Sequence, residues 1–286
     1  MLSTSPRLWI IATPLGNPGD LSPRAREIIE TADLVLAEDT RLARALFRQC
    51  GISRSNLTSF YEHNEEKRLG EVLNVLRSGG QAAIITDAGT PLLADPGFRL
   101  VEKCRAENLP VSPVPGPSAP IAALSAAGLP PIPFSFLGFL PRGAGEIKKL
   151  FKKFAPVPGS LVFFERKDRL CESLELAFSE LGNRKLAICR EMTKIHEEFI
   201  LGDLKDFTSL CNNLRGEITV ILGPADGVIK STQEEAENIL GELVASGEKP
   251  KMAIKQAAQR LSGWTGKELY ELARRLKNRD EEDEEL

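Results

Sequence analysis

The sequence contains no GxGxxG after an apolar run and no GxxxxGK[ST], which excludes a dinucleotide fingerprint of the nicotinamide or flavin type and a P-loop. Histidine is scarce, with only His63 and His196, and the five cysteines (Cys50, Cys104, Cys171, Cys189, Cys211) form no CxxC pair. A structural metal site is therefore not expected, and the odd, widely spaced cysteines predict reduced thiols rather than a disulfide framework. No stretch approaches the roughly 18 consecutive apolar residues of a membrane span. Residues 1–7 also lack a charged leader followed by an apolar core, so a secretory signal is not expected and the reading is a cytoplasmic chain with no membrane partner.

What is present is an ordinary globular composition, 42% hydrophobic and 27% charged over 286 residues, with a net charge of -3. The length predicts more than one domain, since single domains run to roughly 100–200 residues. Charge is unevenly placed. Six acids crowd positions 280–285, and without them 37 basic groups face 34 acidic ones. Between 249 and 279 nine basic residues face only Glu268 and Glu271, a pattern that fits either a phosphate-binding surface or a plain solvated face.

Short apolar runs alternate with helical patterns, the signature of α/β units with largely parallel strands. Strands are predicted at 8–12, 34–37, 82–86 and 111–114, then at 161–164, 186–189 and 218–222. Ser22-Pro23 reads as a helix start, and Asp39 or Thr40 as the cap of a helix over 41–49 that Gly51 ends. The Pro/Gly-rich stretch 128–145 marks a domain boundary, and beyond 225 the pattern is helical, with a pair over 251–261 and 266–277. The predicted organisation is an α/β domain over 1–116, a second over 117–226, a helical extension over 227–279 and an acidic tail over 280–286.

Three rigid loops follow strands of the first half: Thr13-Pro14-Leu15-Gly16-Asn17, Asp87-Ala88-Gly89-Thr90-Pro91 and Pro115-Gly116-Pro117-Ser118-Ala119. Loops beyond the carboxyl ends of parallel strands converge on one crevice. Glycine there admits a ligand to main-chain hydrogen bonds, and proline lowers the ordering cost of binding. With no lysine in 89–97, the cradle suits a ligand without a polyphosphate tail.

These loops, with Ala37-Glu38-Asp39-Thr40-Arg41, the stretch 87–97, Phe163-Phe164-Glu165-Arg166-Lys167 and the segments 190–199 and 216–222, resemble the small-subunit ribosomal RNA methyltransferase I family of the tetrapyrrole methylases. The resemblance covers most of the chain; Ala94 departs from the hydroxyl or amide usual in the family at that position. It implies two α/β domains of class III methyltransferase type with a ligand cleft between them, and S-adenosylmethionine as cofactor. It further implies 2'-O-methylation of a decoding-centre cytidine in 16S ribosomal RNA of the 30S subunit by a homodimer. Carried over by position, the cofactor contacts are Pro14, Leu15, Gly16, Asp87, Ala88, Gly89, Thr90, Ser118 and Ala119, with Phe164 and Thr219 from the second domain. Asp87 could equally cap its own turn, and Phe164 could be core.

Methyl transfer needs alignment and removal of a ribose hydroxyl proton. Candidate bases are Glu38, Asp39 and His63, against the competing roles of helix cap for Asp39 and solvated loop residue for His63. RNA contacts are expected from Arg41, Arg44 and Arg48, which share a helix face, and from Arg142, Lys148 and Lys149. Two other readings use the same cradle: a methylase of tetrapyrrole precursors, and a non-catalytic RNA-binding assembly factor.

Overall fold

Side chains alternating between two apolar faces define the first sheet of the computed structural model, which describes residues 6–61, 63–225, 231–246, 248–261 and 263–284. Its strands are β1 (Arg7–Ile11), β2 (Leu34–Ala37), β3 (Thr58–Ser59), β4 (Gln81–Ile85) and β5 (Val111–Val114), all parallel, in the order β3-β2-β4-β1-β5. Trp9, Ile11, Val35, Ala37 and Ile85 point to one face, under helices α1 (Pro23–Thr31) and α2 (Thr40–Cys50). Leu8, Leu36 and Ile84 point to the other, under α3 (Glu65–Arg77) and α4 (Phe98–Ala106). Neighbouring strands β1 and β4 thus send their next helices to opposite faces, and such a switch opens a crevice beyond their carboxyl ends.

Local chemistry sets the helix ends that frame this crevice. Ser22 caps α1 through Ala25 N–H with Pro23 in the first turn, Asp39 caps α2 through Arg41 N–H, and Gly51 closes α2 in the left-handed conformation.

The chain continues through α5 (Ala119–Ala126) into a second sheet made of β6 (Phe134–Phe139), β7 (Ser160–Glu165), β8 (Lys185–Arg190), β9 (Glu198–Asp203) and β10 (Ile218–Leu222), in the order β6-β7-β10-β8-β9. Only β6 and β7 run parallel; β10 is antiparallel to both β7 and β8, and β8 to β9. The expectation of parallel strands therefore holds for the first sheet but not for this one. One face packs on α6 (Ala144–Phe154) and α7 (Leu170–Leu181), the other on α5 through Ala123 and Leu124. Strands β6 and β9 lay outside the sequence reading: β6 falls in the Pro/Gly stretch taken as a boundary, and β9 carries the polar ends Glu198 and Asp203.

The expectation of five free thiols is corrected as well. Cys171 in the first turn of α7 and Cys211, just beyond the short helix α8 (Phe207–Leu210), are disulfide-bonded, with Cα atoms 5.4 Å apart. They lie 40 residues apart in the chain, so spacing concealed a pair that packing brings within bridging range. Cys50, Cys104 and Cys189 are free and buried.

Residues 1–224 form one compact unit and 225–286 another. The second contains α9 (Gln233–Ala245), α10 (Pro250–Arg260) and α11 (Gly266–Glu284), packed around Ala236, Leu240, Ala253, Ala257 and Leu269. Helix α11 outruns its expected end, and acids 280–284 continue its backbone; positions 285 and 286 of the tail lie outside the described residues. No helix of the described residues is long and apolar enough to cross a membrane.

Candidate functional site

The three loops meet. Thr13 N–H donates to Gly89 O at 2.9 Å and Gly89 N–H to Thr13 O at 3.0 Å, an isolated bridge between the loops after β1 and β4. Thr13 Oγ1 donates to Thr86 O at 3.0 Å, and Thr90 Oγ1 to Pro117 O at 3.0 Å, which ties in the loop after β5. Gly89 has a φ of +83°, and a Cβ built there would stand 3.2 Å from Leu15 Cδ2. Beyond this junction opens a cavity of about 580 Å³, within the size range of small-molecule sites.

The first sheet's loops line the cavity with Leu15, with Asp87, Ala88, Gly89 and Thr90, and with Ser118 and Ala119. Phe164 of β7 and Thr219 of β10 line it from the second sheet, where these two residues are register partners. Phe164 packs its ring 5.0 Å from Phe136 and 5.2 Å from Phe139, so an aromatic wall faces the loops. Two expected positions lie off the wall. Pro14 is buried behind it, and a Cβ on Gly16 would overlap the Lys194 side chain, so Gly16 is the seat of the 191–197 turn. That turn is tied down by Lys194 Nζ, which bonds Glu191 at 3.0 Å and Glu217 at 2.8 Å.

One side of the cavity is acidic. Glu38, at the end of β2, is half-buried and accepts from Thr86 Oγ1 at 3.1 Å. Asp87 accepts the Asp39 N–H at 3.2 Å, and Asp95 shares the wall. Burial, then the neighbouring Asp95 charge, raises the Glu38 carboxyl above its ordinary range, and burial likewise raises Asp95 against the opposing hydrogen bond from Thr86. Asp87 is pushed up to about 6, by desolvation at the wall and then by the charge of Glu38. Carboxyls crowded together in this way favour a cationic ligand.

Of the three candidate bases, only Glu38 lines the cavity. Asp39 is engaged in capping α2 and in a 2.6 Å ion pair with Arg41, whose hydrogen bond holds its carboxyl far below the usual range. His63 is exposed, its ring edge-on to Tyr61. Arg41, Arg44 and Arg48 are all exposed along α2, but Asp39 neutralises the first. Lys148 shares Glu180 with Lys152, whereas no ion pair among the described residues engages Arg142 or Lys149.

The wall also holds residues that sequence reasoning passed over: Thr86, Asp95, Arg166, Lys167, Met192 and Glu217. Arg166 and Lys167 directly follow a strand whose Phe164 had been singled out, and that adjacency was the available signal. Among the described residues no group of three or more His, Cys, Asp or Glu is placed to hold a metal ion.

Comparison with known proteins fits this geometry. The sequence pattern of the tetrapyrrole (corrin/porphyrin) methylases matches residues 7–208. The chain is 40% identical over 275 residues to the ribosomal RNA small subunit methyltransferase I of Mesorhizobium japonicum, covering 95% of this chain and 91% of that one. The chain belongs to this methyltransferase family. The Thermotoga maritima relative of the same name is 41% identical over 218 residues, 76% of this chain and 97% of its own. Among solved structures, the methyltransferase CobJ superposes with a TM-score of 0.59 at 19% identity, covering 80% of this chain and 98% of its own. A Thermus thermophilus uroporphyrin-III C-methyltransferase complexed with S-adenyl homocysteine gives 0.55 at 19%, covering 76% and 97%. At such identities the likeness concerns the fold.

Proposed function

We propose that this chain transfers a methyl group from S-adenosylmethionine to the ribose 2'-hydroxyl of a decoding-centre cytidine in 16S ribosomal RNA, acting as a cytoplasmic homodimer on the 30S subunit. The observation that carries the reaction is the cavity in which three loops and an aromatic strand meet beside three carboxyls. The RNA substrate follows from the name of relatives that match 95% of the chain.

The residues suit the cofactor. Gly89, at positive φ and hard against Leu15, keeps the loop free of a side chain where main-chain groups face the cavity, and Phe164 offers a flat apolar surface to an adenine. Glu38, Asp87 and Asp95 supply negative charge opposite a sulfonium and an ammonium. Bound there, the cofactor supplies an electrophilic methyl whose leaving group departs neutral.

The work left to the chain is orientation and proton removal. Proximity and alignment can account for about 7–11 kcal/mol of barrier lowering. The Glu38 carboxylate, raised by burial and held by Thr86, is the group placed to accept the ribose hydroxyl proton. Arg166 and Lys167 at the cavity wall, with Arg44, Arg48, Arg142 and Lys149, would position RNA phosphates. The acidic wall disfavours a tetrapyrrole precursor bearing several carboxylates of its own.

The test incubates the chain and methyl-labelled cofactor with 30S subunits, naked 16S RNA and uroporphyrinogen, then maps any modified ribose by mass spectrometry. Label on one cytidine ribose of 30S subunits is expected; label in uroporphyrinogen alone overturns the proposal, and cofactor binding without transfer to any of the three points to a non-catalytic factor.

A further inference from the structure

The helical unit over 225–286 is left unused by the cavity chemistry. About a quarter of this chain has no counterpart in the Thermotoga maritima relative, which is matched over 97% of its own length, and the methylase pattern ends at residue 208. The family's chemistry therefore does not depend on all of this chain.

Charge in the unit comes in blocks. Glu234, Glu235, Glu237 and Glu242 lie on α9, and positions 280–284 at the end of α11 are all acidic, with Glu268 and Glu271 nearer its start. Lys251, Lys255 and Arg260 on α10, and Lys267, Arg274 and Arg275 on α11, are all exposed, and no ion pair among the described residues engages any of them. In the first unit Arg142 and Lys149 have no ion pair among the described residues, while Arg68, Arg77, Arg99, Lys185 and Arg190 each face a carboxylate. A merely solvated face would be expected to intersperse acids in the same way.

On α11 the cations enclose an aromatic. Lys267, Tyr270 and Arg274 fall at i, i+3 and i+7, one face of the helix opposite the buried Leu269 and Leu272. Tyr270 is 61% exposed. An isolated exposed aromatic is unremarkable, but one between two unpaired cations matches the platform on which unpaired bases stack while lysine and arginine follow the phosphates. Glu268 and Glu271 are the acids between them in the chain, and Glu268 accepts from Thr265 at the start of the helix.

We propose that the Lys267-Tyr270-Arg274 face of α11 is a docking surface for single-stranded RNA, stacking an unpaired base on Tyr270. This rests on the reading of RNA as substrate and adds a second place where the chain grips it, apart from the residues of the methyl-transfer cavity. Duplex RNA, whose bases are already stacked, gains nothing from the tyrosine.

The test measures binding of fluorescein-labelled oligouridylate to the full chain by anisotropy, without cofactor, across a salt series. Tyr270→Ala is expected to weaken binding roughly 5- to 150-fold, the range of one lost stacking contact, and Tyr270→Trp to retain it. Lys267→Ala with Arg274→Ala is expected to flatten the log–log salt slope by about 1.4, at roughly 0.7 per lost phosphate contact. All three positions are exposed, and an unchanged thermal melt checks that the variants fold. Parental affinity and salt slope in Tyr270→Ala and the double variant overturn the proposal, as does a loss that a labelled duplex shows equally. Oligouridylate binding that depends on Tyr270 in a chain that fails to methylate 30S subunits separates this surface from the proposed reaction.

Discussion

Thr13 and Gly89 exchange a pair of backbone hydrogen bonds at 2.9 and 3.0 Å, and so hold the loops after two neighbouring parallel strands at a fixed separation. Gly89 can take part because its φ of +83° costs glycine little. Replacing it with valine adds a branched side chain at a φ that such residues resist, 3.2 Å from Leu15. Gly89→Val is expected to abolish cofactor binding in calorimetry, with the chain remaining folded by circular dichroism. Unchanged affinity would remove the loop junction from the binding site.

A substitution at Glu38 tests the proposed base apart from cofactor binding. Glu38→Gln preserves shape and the Thr86 contact but cannot accept a proton, so the single-turnover rate on 30S subunits should fall about 10²- to 10⁴-fold. Cofactor affinity should change far less. A variant that methylates at the parental rate would show that the proton leaves by another route.

Asp87 makes the site pH-dependent. Its folded-state value of about 6 lies above the ordinary carboxylate range, so the folded chain holds this proton more tightly than the unfolded chain does. As pH rises from that range through about 6, Asp87 contributes a loss of stability that levels off above the window. Over the same window its negative charge appears, and binding of a cationic cofactor should strengthen. Calorimetry between about pH 5 and about pH 8 should show this rise in the parent and a smaller one in Asp87→Asn, since Glu38 and Asp95 are raised too. A parental affinity indifferent to pH would contradict the assignment.

The Cys171–Cys211 bond can be counted. Under non-reducing denaturation the chain should take up three maleimides, on Cys50, Cys104 and Cys189, and five after reduction. In the folded state, burial raises Cys104 to about 11 and Cys189 to about 12, so both should react slowly. Cys171→Ser is expected to lower stability by about 2–4 kcal/mol, read from denaturant melts. Five maleimides without reductant would exclude the bond.

Much of this site could be read along the chain because its parts are local: a strand, then a Gly/Pro turn, then a helix. Ser22, Asp39 and Gly51 announce their caps in the same way. Asp95 and Thr86 were missed because their importance comes from facing Glu38 across strands, a relation that no spacing encodes. His63 and Asp39 have suitable chemistry, but position decides against both as cavity groups, since one is solvent-exposed and the other is held by Arg41. Strand β6 was hidden by the glycine and prolines around it, which an edge strand tolerates.

Leu15 and Thr219 lie near opposite ends of the first unit yet border the same cavity. During synthesis, a nascent chain halted before β10 still lacks the part of the wall that Ile218 and Thr219 supply. The cavity is thus completed late, when the last strand slots between β7 and β8. A saturating ligand would in turn clasp early and late segments together, protecting the finished chain from proteolysis as the logarithm of ligand concentration.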